Sequence, residues 1–389
     1  MEFVRNRKLV CSFGNIGRIE EDLLIEVLRR LPAKIAMRCC CVCKPWYLLV
    51  HRYCVPRITR SLPLLGCYVS IRTSATTDWE MVRAVIPEAG VDFDVWPPVF
   101  YIDGDFSAMY LLDSRDGLML FQHPSRDKYV LCNPDTKQFL LIPRPDKAGR
   151  RAVLGVEIQN WKPDSGMDFF KIISFPENKG SLDVFSSRNS TWVERKVKCR
   201  PPSYASPLDD GTFTLHTRYV YLNRKFYTLC HRDFLLWFTI GDVNNVDVVF
   251  NFVNLPDVGN SYISSARCIG SCAGRFQYAT NDQAFEALYI WEYIDNGGAG
   301  IWIGRHFVSH RKLYKHPQIV DLSNLKLLAL DPVSNDGLIF WASNRIFCYY
   351  NKSGKFVQLQ CPNILNDAIE LRPNAFVFTR CLASLTLVR

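Results

Sequence analysis

The stretch SRDGLMLFQHPSRDKYVLCNPDTKQFLLIP, residues 114–143, decides how most of this chain folds. It holds three apolar runs, GLMLF (117–121), KYVLCN (128–133) and QFLLIP (138–143), each five or six residues long. The segments between them carry Pro, Asp, Ser and Asn. Short apolar runs bounded by turn chemistry predict strands joined as hairpins.

The same texture extends in both directions. LLGCYVSIR (64–72) precedes the stretch, and DFFKIISF (168–175) follows it. LDVFSS (182–187) and TWVERKV (191–197) pair across Arg188-Asn189-Ser190, and RYVYLNRKFYTL (218–229) turns at Asn223-Arg224. FLLWFTI (234–240), ALYIWEY (287–293), GIWIGRHF (300–307), GLIFWA (337–342), RIFCYY (345–350) and FVQLQ (356–360) come next, then AFVFTR (375–380) and LASLTLV (382–388). Composition agrees, with 25 Phe, 17 Tyr and 9 Trp against 6 Met. Aromatic and β-branched side chains suit strands.

One open sheet cannot hold so many strands. Radial repetition can, so the expected architecture is β-propeller-like. At about 45 residues per blade, the chain after residue 62 has room for roughly six or seven. A weak internal repeat supports this. SRDGLMLFQ (114–122) and SNDGLIFWA (334–342) match in character, and the polar turns 133–138 and 351–355 follow each at an equivalent place. There is no WD dipeptide pattern, and Gly297-Gly298 is the only glycine doublet. The repeat is therefore not an evident WD or kelch array.

The first sixty residues read differently. In EEDLLIEVLRRL (20–31), Leu23, Leu24, Val27, Leu28 and Leu31 form one apolar helical face. Acidic residues open this helix and Arg29 and Arg30 close it, as the helix dipole favours. Pro32 ends it. A second helix is expected over 34–43, with Ile35, Cys39 and Val42 on one side. A third starts near Pro45 and carries Trp46, Leu48 and Leu49. Three short helices cannot bury such broad faces alone, so they need the following domain or a partner.

The run IEEDLLIEVLRRLPAKIAMRCCCVCKPWYLLV resembles an F-box. Asp22-Leu23-Leu24, Val27, Leu31-Pro32, Val42-Cys43-Lys44 and Trp46 stand at the family's spacing. Glu20 replaces the usual Pro and Ile19 the usual Leu. The resemblance implies docking to the Skp adaptor of SCF (Skp–cullin–F-box) ubiquitin ligases, and through it to cullin and RING subunits. The implied adaptor-binding residues are Ile19, Leu23, Leu24, Val27, Leu28, Leu31, Pro32, Val42, Lys44 and Trp46. The competing reading is that these side chains pack on the C-terminal domain as a helical cap. Farther on, DSRDGLMLF, YVLCNPDTKQFLLIP and LDVFSSRNSTWVE resemble the F-box-associated domains of large plant families. That likeness implies a propeller-like domain that recognises a protein substrate.

Charge narrows the partners. The formal net charge is +9, from 47 basic and 38 acidic residues, but +7 of it lies in residues 1–62. The larger part is nearly neutral, which argues against a general nucleic-acid surface. Skp-class adaptors are acidic, an implication of the resemblance, so a basic helical segment suits steering toward one. No apolar stretch approaches membrane-spanning length, and MEFVRNRKLVCSFGNIG lacks a signal-peptide core. The expected location is cytoplasm and/or nucleus. The 15 cysteines are then reduced thiols, and sequons at Asn189 and Asn351 stay unmodified.

Catalytic signatures do not stand out. There is no GxSxG elbow, Walker loop, HExxH or dinucleotide fingerprint. The CxxC at Cys40 and Cys43 lacks a second pair of ligands nearby, and buried packing accounts for it better than zinc. His306, His310 and His316 are expected in a solvated, partly basic loop. No cofactor, metal, nucleic acid or membrane is expected.

The resulting expectation is an N-terminal arm (1–16), a small all-α F-box of three helices (17–62) and an all-β, β-propeller-like domain (63–389). Its function would be substrate-recognition subunit of an SCF-type ubiquitin ligase, itself non-catalytic. The alternatives are an F-box-derived interaction protein without a ligase role, and a sugar-binding propeller targeted by the F-box.

Overall fold

The computed structural model describes residues 21–55, 64–73, 80–87, 109–123, 127–134, 138–145, 151–156, 170–175, 180–200, 215–230, 234–241, 247–256, 267–296, 300–361, 368–371 and 375–379. Ile19, the arm 1–16 and the strand expected at 382–388 lie outside them.

Three helices come first: α1 (Glu21–Arg30), α2 (Ala33–Cys39) and α3 (Lys44–Leu49). A wider π-type turn, Val50–Cys54, extends α3. The second helix stops four residues before the expected Cys43. Its chain turns at Cys40–Val42, and Cys43 is fully extended (φ −165°, ψ 166°). Pro45 has no N–H to give, so the chain restarts a helix around it, with the proline in the first turn.

Strands then alternate up and down in units of four. The first unit holds β1 (Leu64–Thr73) and β2 (Glu80–Val85). The second runs β3 (Tyr110–Arg115), β4 (Leu118–Gln122), β5 (Lys128–Asn133) and β6 (Gln138–Pro143). The third is β7 (Arg151–Val156), β8 (Phe170–Phe175), β9 (Ser181–Ser186) and β10 (Thr191–Arg200). The fourth is β11 (Leu215–Leu222), β12 (Lys225–Cys230), β13 (Phe234–Thr239) and β14 (Asp247–Asn254). The fifth comprises β15 (Arg267–Cys272), β16 (Arg275–Asp282), β17 (Ala287–Ile294) and β18 (Ile301–Ser309), followed by a short helix α4 (His310–Leu313). The sixth is β19 (Lys326–Leu330), β20 (Gly337–Ala342), β21 (Arg345–Tyr350) and β22 (Lys355–Gln358). Finally β23 (Ala368–Leu371) and β24 (Phe376–Thr379) both pair with β1, so the last described strands complete the first unit.

This closes a ring. The innermost strands β24, β3, β7, β11, β15 and β19 stand side by side in that order, and Ala375 N–H donates to Leu328 O at 2.9 Å to join the ends. Six described units follow, at the lower end of the expected count. The third and fourth are fused, because their outer strands β10 and β14 pair in parallel from Lys196↔Asp247 to Arg200↔Asn251. The resulting eight-stranded sheet is nearly closed on itself.

Local sequence explains the hairpins. Asp116-Gly117, Asn223-Arg224, Ala273-Gly274 and Ser343-Asn344 all have positive φ at both positions. That is the backbone of a two-residue turn whose twist matches the flanking strands. The repeat seen in sequence is real at the level of position: β4 and β20 are both second strands, and the two polar segments of the repeat fall between a third strand and a fourth, β5 and β6 in one unit and β21 and β22 in the other.

The core lies between units. Val153, Ile173, Phe226, Phe238 and Phe250 fill the space between the third and fourth, with Phe226 stacked on Phe238 at 5.2 Å. Gly155 permits that approach, since a Cβ there would lie 2.7 Å from the Phe226 ring. Two tryptophans latch outer strands to the preceding unit. Trp192 on β10 donates from Nε1 to Pro143 O (2.6 Å), and Trp302 on β18 donates to Asn254 O (2.7 Å). Each is the second residue of its strand, which gives the TWV segment a mechanical role.

On the innermost strands, half-buried arginines stitch alternate units. Arg115 on β3 donates to Tyr219 O at 2.5 Å, and Arg218 on β11 donates to Leu328 O at 2.8 Å. Asp113 accepts from Leu154 N–H and Ser114 N–H. Burial pushes its carboxyl up, opposed by Arg115 and by those two backbone donors. These charges serve the ring's closure.

Candidate functional site

The helical segment divides its apolar residues between two surfaces. On α1, Leu24 (4% exposed) and Leu28 (1%) point inward beside Ile25. Leu23 (61%) and Val27 (56%) point outward. The helical stripe read as one face is thus two. The inward set belongs to a buried cluster that also holds Ala36, Leu49, Val50, Cys54 and Val55, and that continues into Leu112, Leu118, Tyr129 and Leu131 of the second unit and Leu154, Phe170 and Ile172 of the third. The helices therefore share a core with the β domain, as the cap reading expected, while keeping an apolar surface outside it.

That outer surface is concentrated in residues 23–48. Ile35 on α2, Val42 in the following turn, and Tyr47 and Leu48 on α3 are exposed along with Leu23 and Val27. Pro32 and Lys44 are exposed, and Leu31 and Trp46 are half-buried against the core cluster. Of the ten residues expected at the adaptor, Leu24 and Leu28 therefore support the helix from inside. Ile35, Tyr47 and Leu48 stand outside and were not among the ten. The sequence carried only a weak signal for them, because neighbours on a helix stand about 100° apart and can share a face, as the buried pairs Leu24-Ile25 and Leu49-Val50 do.

The helix itself is well made. Glu21 and Asp22 occupy its first turn and Arg29 and Arg30 its last. Arg30 reaches back to Glu26 (Nε to Oε1, 3.0 Å), a pairing that supports the exposed side. Pro32, in extended conformation (φ −56°, ψ 145°), separates α1 from α2.

The cysteine cluster shows no metal-site geometry. Cys39, Cys40 and Cys43 are half-buried, and burial together with the neighbouring thiols pushes the Cys40 thiol up. Among the described residues no group of three or more His, Cys, Asp or Glu could hold a metal ion. Nor is any described helix long and apolar enough to cross a membrane.

Two of the three histidines stand outside the expected loop, while His316 lies in the turn that follows α4. His306 lies on β18, and His310 opens α4 with its ring buried. His310 Nε2 stands 2.8 Å from Asn281 Oδ1, an acceptor, so the neutral ring donates there. Burial lowers the His310 basicity, against the opposing pull of Glu286. His316 packs on Phe347 and Phe356 at 5.3 and 4.9 Å. The basic side chains Arg311, Lys312 and Lys315 are exposed as the sequence suggested, while His310 is buried and His316 packs on the sixth unit.

Comparison with known proteins accords with this geometry. Residues 18–57 match the F-box domain. An F-box protein of Arabidopsis thaliana is 24% identical over 265 residues, covering 64% of this chain and 59% of that protein. A second Arabidopsis thaliana chain named as an F-box protein is 23% identical over 314 residues, covering 76% and 71%. The chain thus spans about three fifths of the length of the first of these relatives. Among solved structures, YCF48 from Cyanidioschyzon merolae aligns over 82% of this chain and 94% of its own, at 9% identity and a TM-score of 0.41. The Cps50 (Swd1) β-propeller domain of Myceliophteria thermophila aligns over 76% and 86%, at 12% identity and 0.39. The propeller assignment rests on the strand pairing described above. Residues 18–57, which hold the three helices, are thus an F-box domain by similarity, and the chain, whose C-terminal part is β-rich, is similar to F-box proteins of Arabidopsis thaliana.

Proposed function

We propose that this chain is the substrate-recognition subunit of an SCF-type ubiquitin ligase. One observation carries the reading. The F-box keeps Leu23, Val27, Ile35, Val42, Tyr47 and Leu48 exposed while Leu24, Ile25, Leu28, Ala36, Leu49 and Val50 are held in a core shared with the β domain. Exposed apolar side chains concentrated in a short helical segment favour a protein partner. In this proposal the Skp adaptor packs on Leu23, Val27 and Val42, with Pro32, Lys44 and the exposed parts of Leu31 and Trp46 around them. Leu24 and Leu28 hold the face in shape, and Ile19 precedes it in sequence. Cullin and RING subunits follow through the adaptor.

The chain contributes geometry to the reaction. A target held by the β domain is brought near a ubiquitin-loaded enzyme, which raises the effective concentration of its lysines. Sharing one core between F-box and β domain suits this task, because a rigid link holds the target at a constant distance from the adaptor. Such a receptor would work in the cytoplasm and/or nucleus. Co-purification with a Skp adaptor tests the proposal. A stable, monodisperse chain that shows no association by calorimetry refutes it.

A further inference from the structure

The outer edges of the β units are not equivalent. The edges of β10 and β14 are paired with each other. The sixth unit's outer edge continues past β22 to bridge β2 at Val85↔Gln360. On β6, Trp192 already occupies the Pro143 carbonyl. The nine-residue β18 pairs with β17 on one side, and among the described residues no strand pairs on the other. Ile301 (56%) and Phe307 (52%) are exposed along it. A long strand with one open edge offers backbone donors and acceptors for another strand.

Charge marks the same edge. Residues 301–320 contain Arg305, Arg311, Lys312 and Lys315 and no Asp or Glu, in a β domain that is otherwise nearly neutral. Arg311, Lys312 and Lys315 are exposed on and just after α4, at the end of β18, together with Tyr314. Beneath the edge, Glu292 is shared by Arg305 (Nε 2.8 Å, Nη2 3.1 Å) and Arg275 (Nη1 3.3 Å), so two guanidinium groups meet one carboxylate. Glu286 faces His310, and Asp336 lies near His306. The local balance stays positive.

We infer that the β18 edge and the basic corner at α4 bind an extended acidic segment of a partner protein, which adds as a strand. This deepens the receptor reading and rests on it for its role. The positive charge repels a second copy of the same edge and selects an acidic strand with alternating apolar side chains. RNA is disfavoured because an open strand edge matches a peptide backbone and the surrounding domain is not basic.

The test uses the full chain and a fluorescein-labelled peptide of about nine residues alternating Glu and Val, matched to the length of β18. Anisotropy should rise on binding, and Arg311→Glu combined with Lys312→Glu should weaken it at least about tenfold. Methylating alternate backbone nitrogens of the peptide should weaken it comparably, since the strand bonds are lost. Equal binding of the Lys/Val counterpart, tighter binding of oligouridylate, or indifference to the charge reversal would each overturn the inference. Skp-adaptor binding measured on the same preparations separates failure here from failure of the receptor reading. The charge-reversed chain should keep adaptor affinity, because neither residue lies in the F-box.

Discussion

Replacing Leu23 and Val27 together by Ala should weaken adaptor binding about fifty-fold and leave the fold intact. The two changes delete about five methylene-sized groups, each contributing about 0.8 kcal/mol when fully buried. Those side chains are 61% and 56% exposed in the unbound chain, so docking can newly cover roughly three fifths of that surface. The loss is then about 2.3 kcal/mol, or roughly fifty-fold in Kd. Stability should hold, because Ala is the best helix former and neither side chain contributes to the core. Leu28→Ala is the contrasting variant. Leu28 is 1% exposed inside the shared cluster, so its truncation should destabilise the chain by about 2–5 kcal/mol. Isothermal titration with a purified Skp adaptor reads the first effect, and urea unfolding reads the second. A double variant that binds within about twofold of the parent, with the parent binding normally, would refute the division of α1 into an inner and an outer face.

Other outcomes follow from the β domain. Burial alone would raise the Glu292 carboxyl, but the hydrogen bonds and charges of Arg305 and Arg275 outweigh it and hold the group below its ordinary 4.5. Its stabilisation is present above pH 4.5 and lost as the pH falls through the lowered folded value. Glu292→Gln should therefore cost about 1–2 kcal/mol in urea at pH 7 and lack this acid limb. His310 titrates below its ordinary 6.5, so the folded state disfavours the extra proton and stability declines as the pH falls from 6.5 toward the folded value. His310→Gln should flatten that slope, measured by thermal unfolding across pH 5 to 7. Trp302→Phe removes the latch to Asn254 O and should cost about 1 kcal/mol, seen as faster hydrogen exchange at the β14–β18 junction.

The strand content was legible because its signals are local. Two-residue turns such as Asn223-Arg224 and apolar runs such as KYVLCN stand next to each other in sequence, and turn chemistry is a property of adjacent residues. Strands such as β2, β7, β15 and β16 carried weaker signals. EMVRAV mixes charge with apolar residues, and RCIGSC and RFQYATND owe their burial to neighbouring units, not to their own hydrophobicity. Among the F-box residues, the pattern located the helices, but the partition of Leu23 and Val27 from Leu24 and Leu28 depends on where the β domain lies.

By itself, then, the sequence determined that a helical F-box segment precedes a series of short strands, since periodicity, proline positions and turn residues are set within a few residues of each other. Only the tertiary structure decided how β23 and β24 return to β1, how β10 and β14 fuse two units, and which α1 side chains remain outside the core. Those features join residues more than three hundred positions apart, as Leu64 pairs with Thr379. Long-range strand pairing and burial are settled by packing against distant surfaces, and no local pattern encodes which surface that will be.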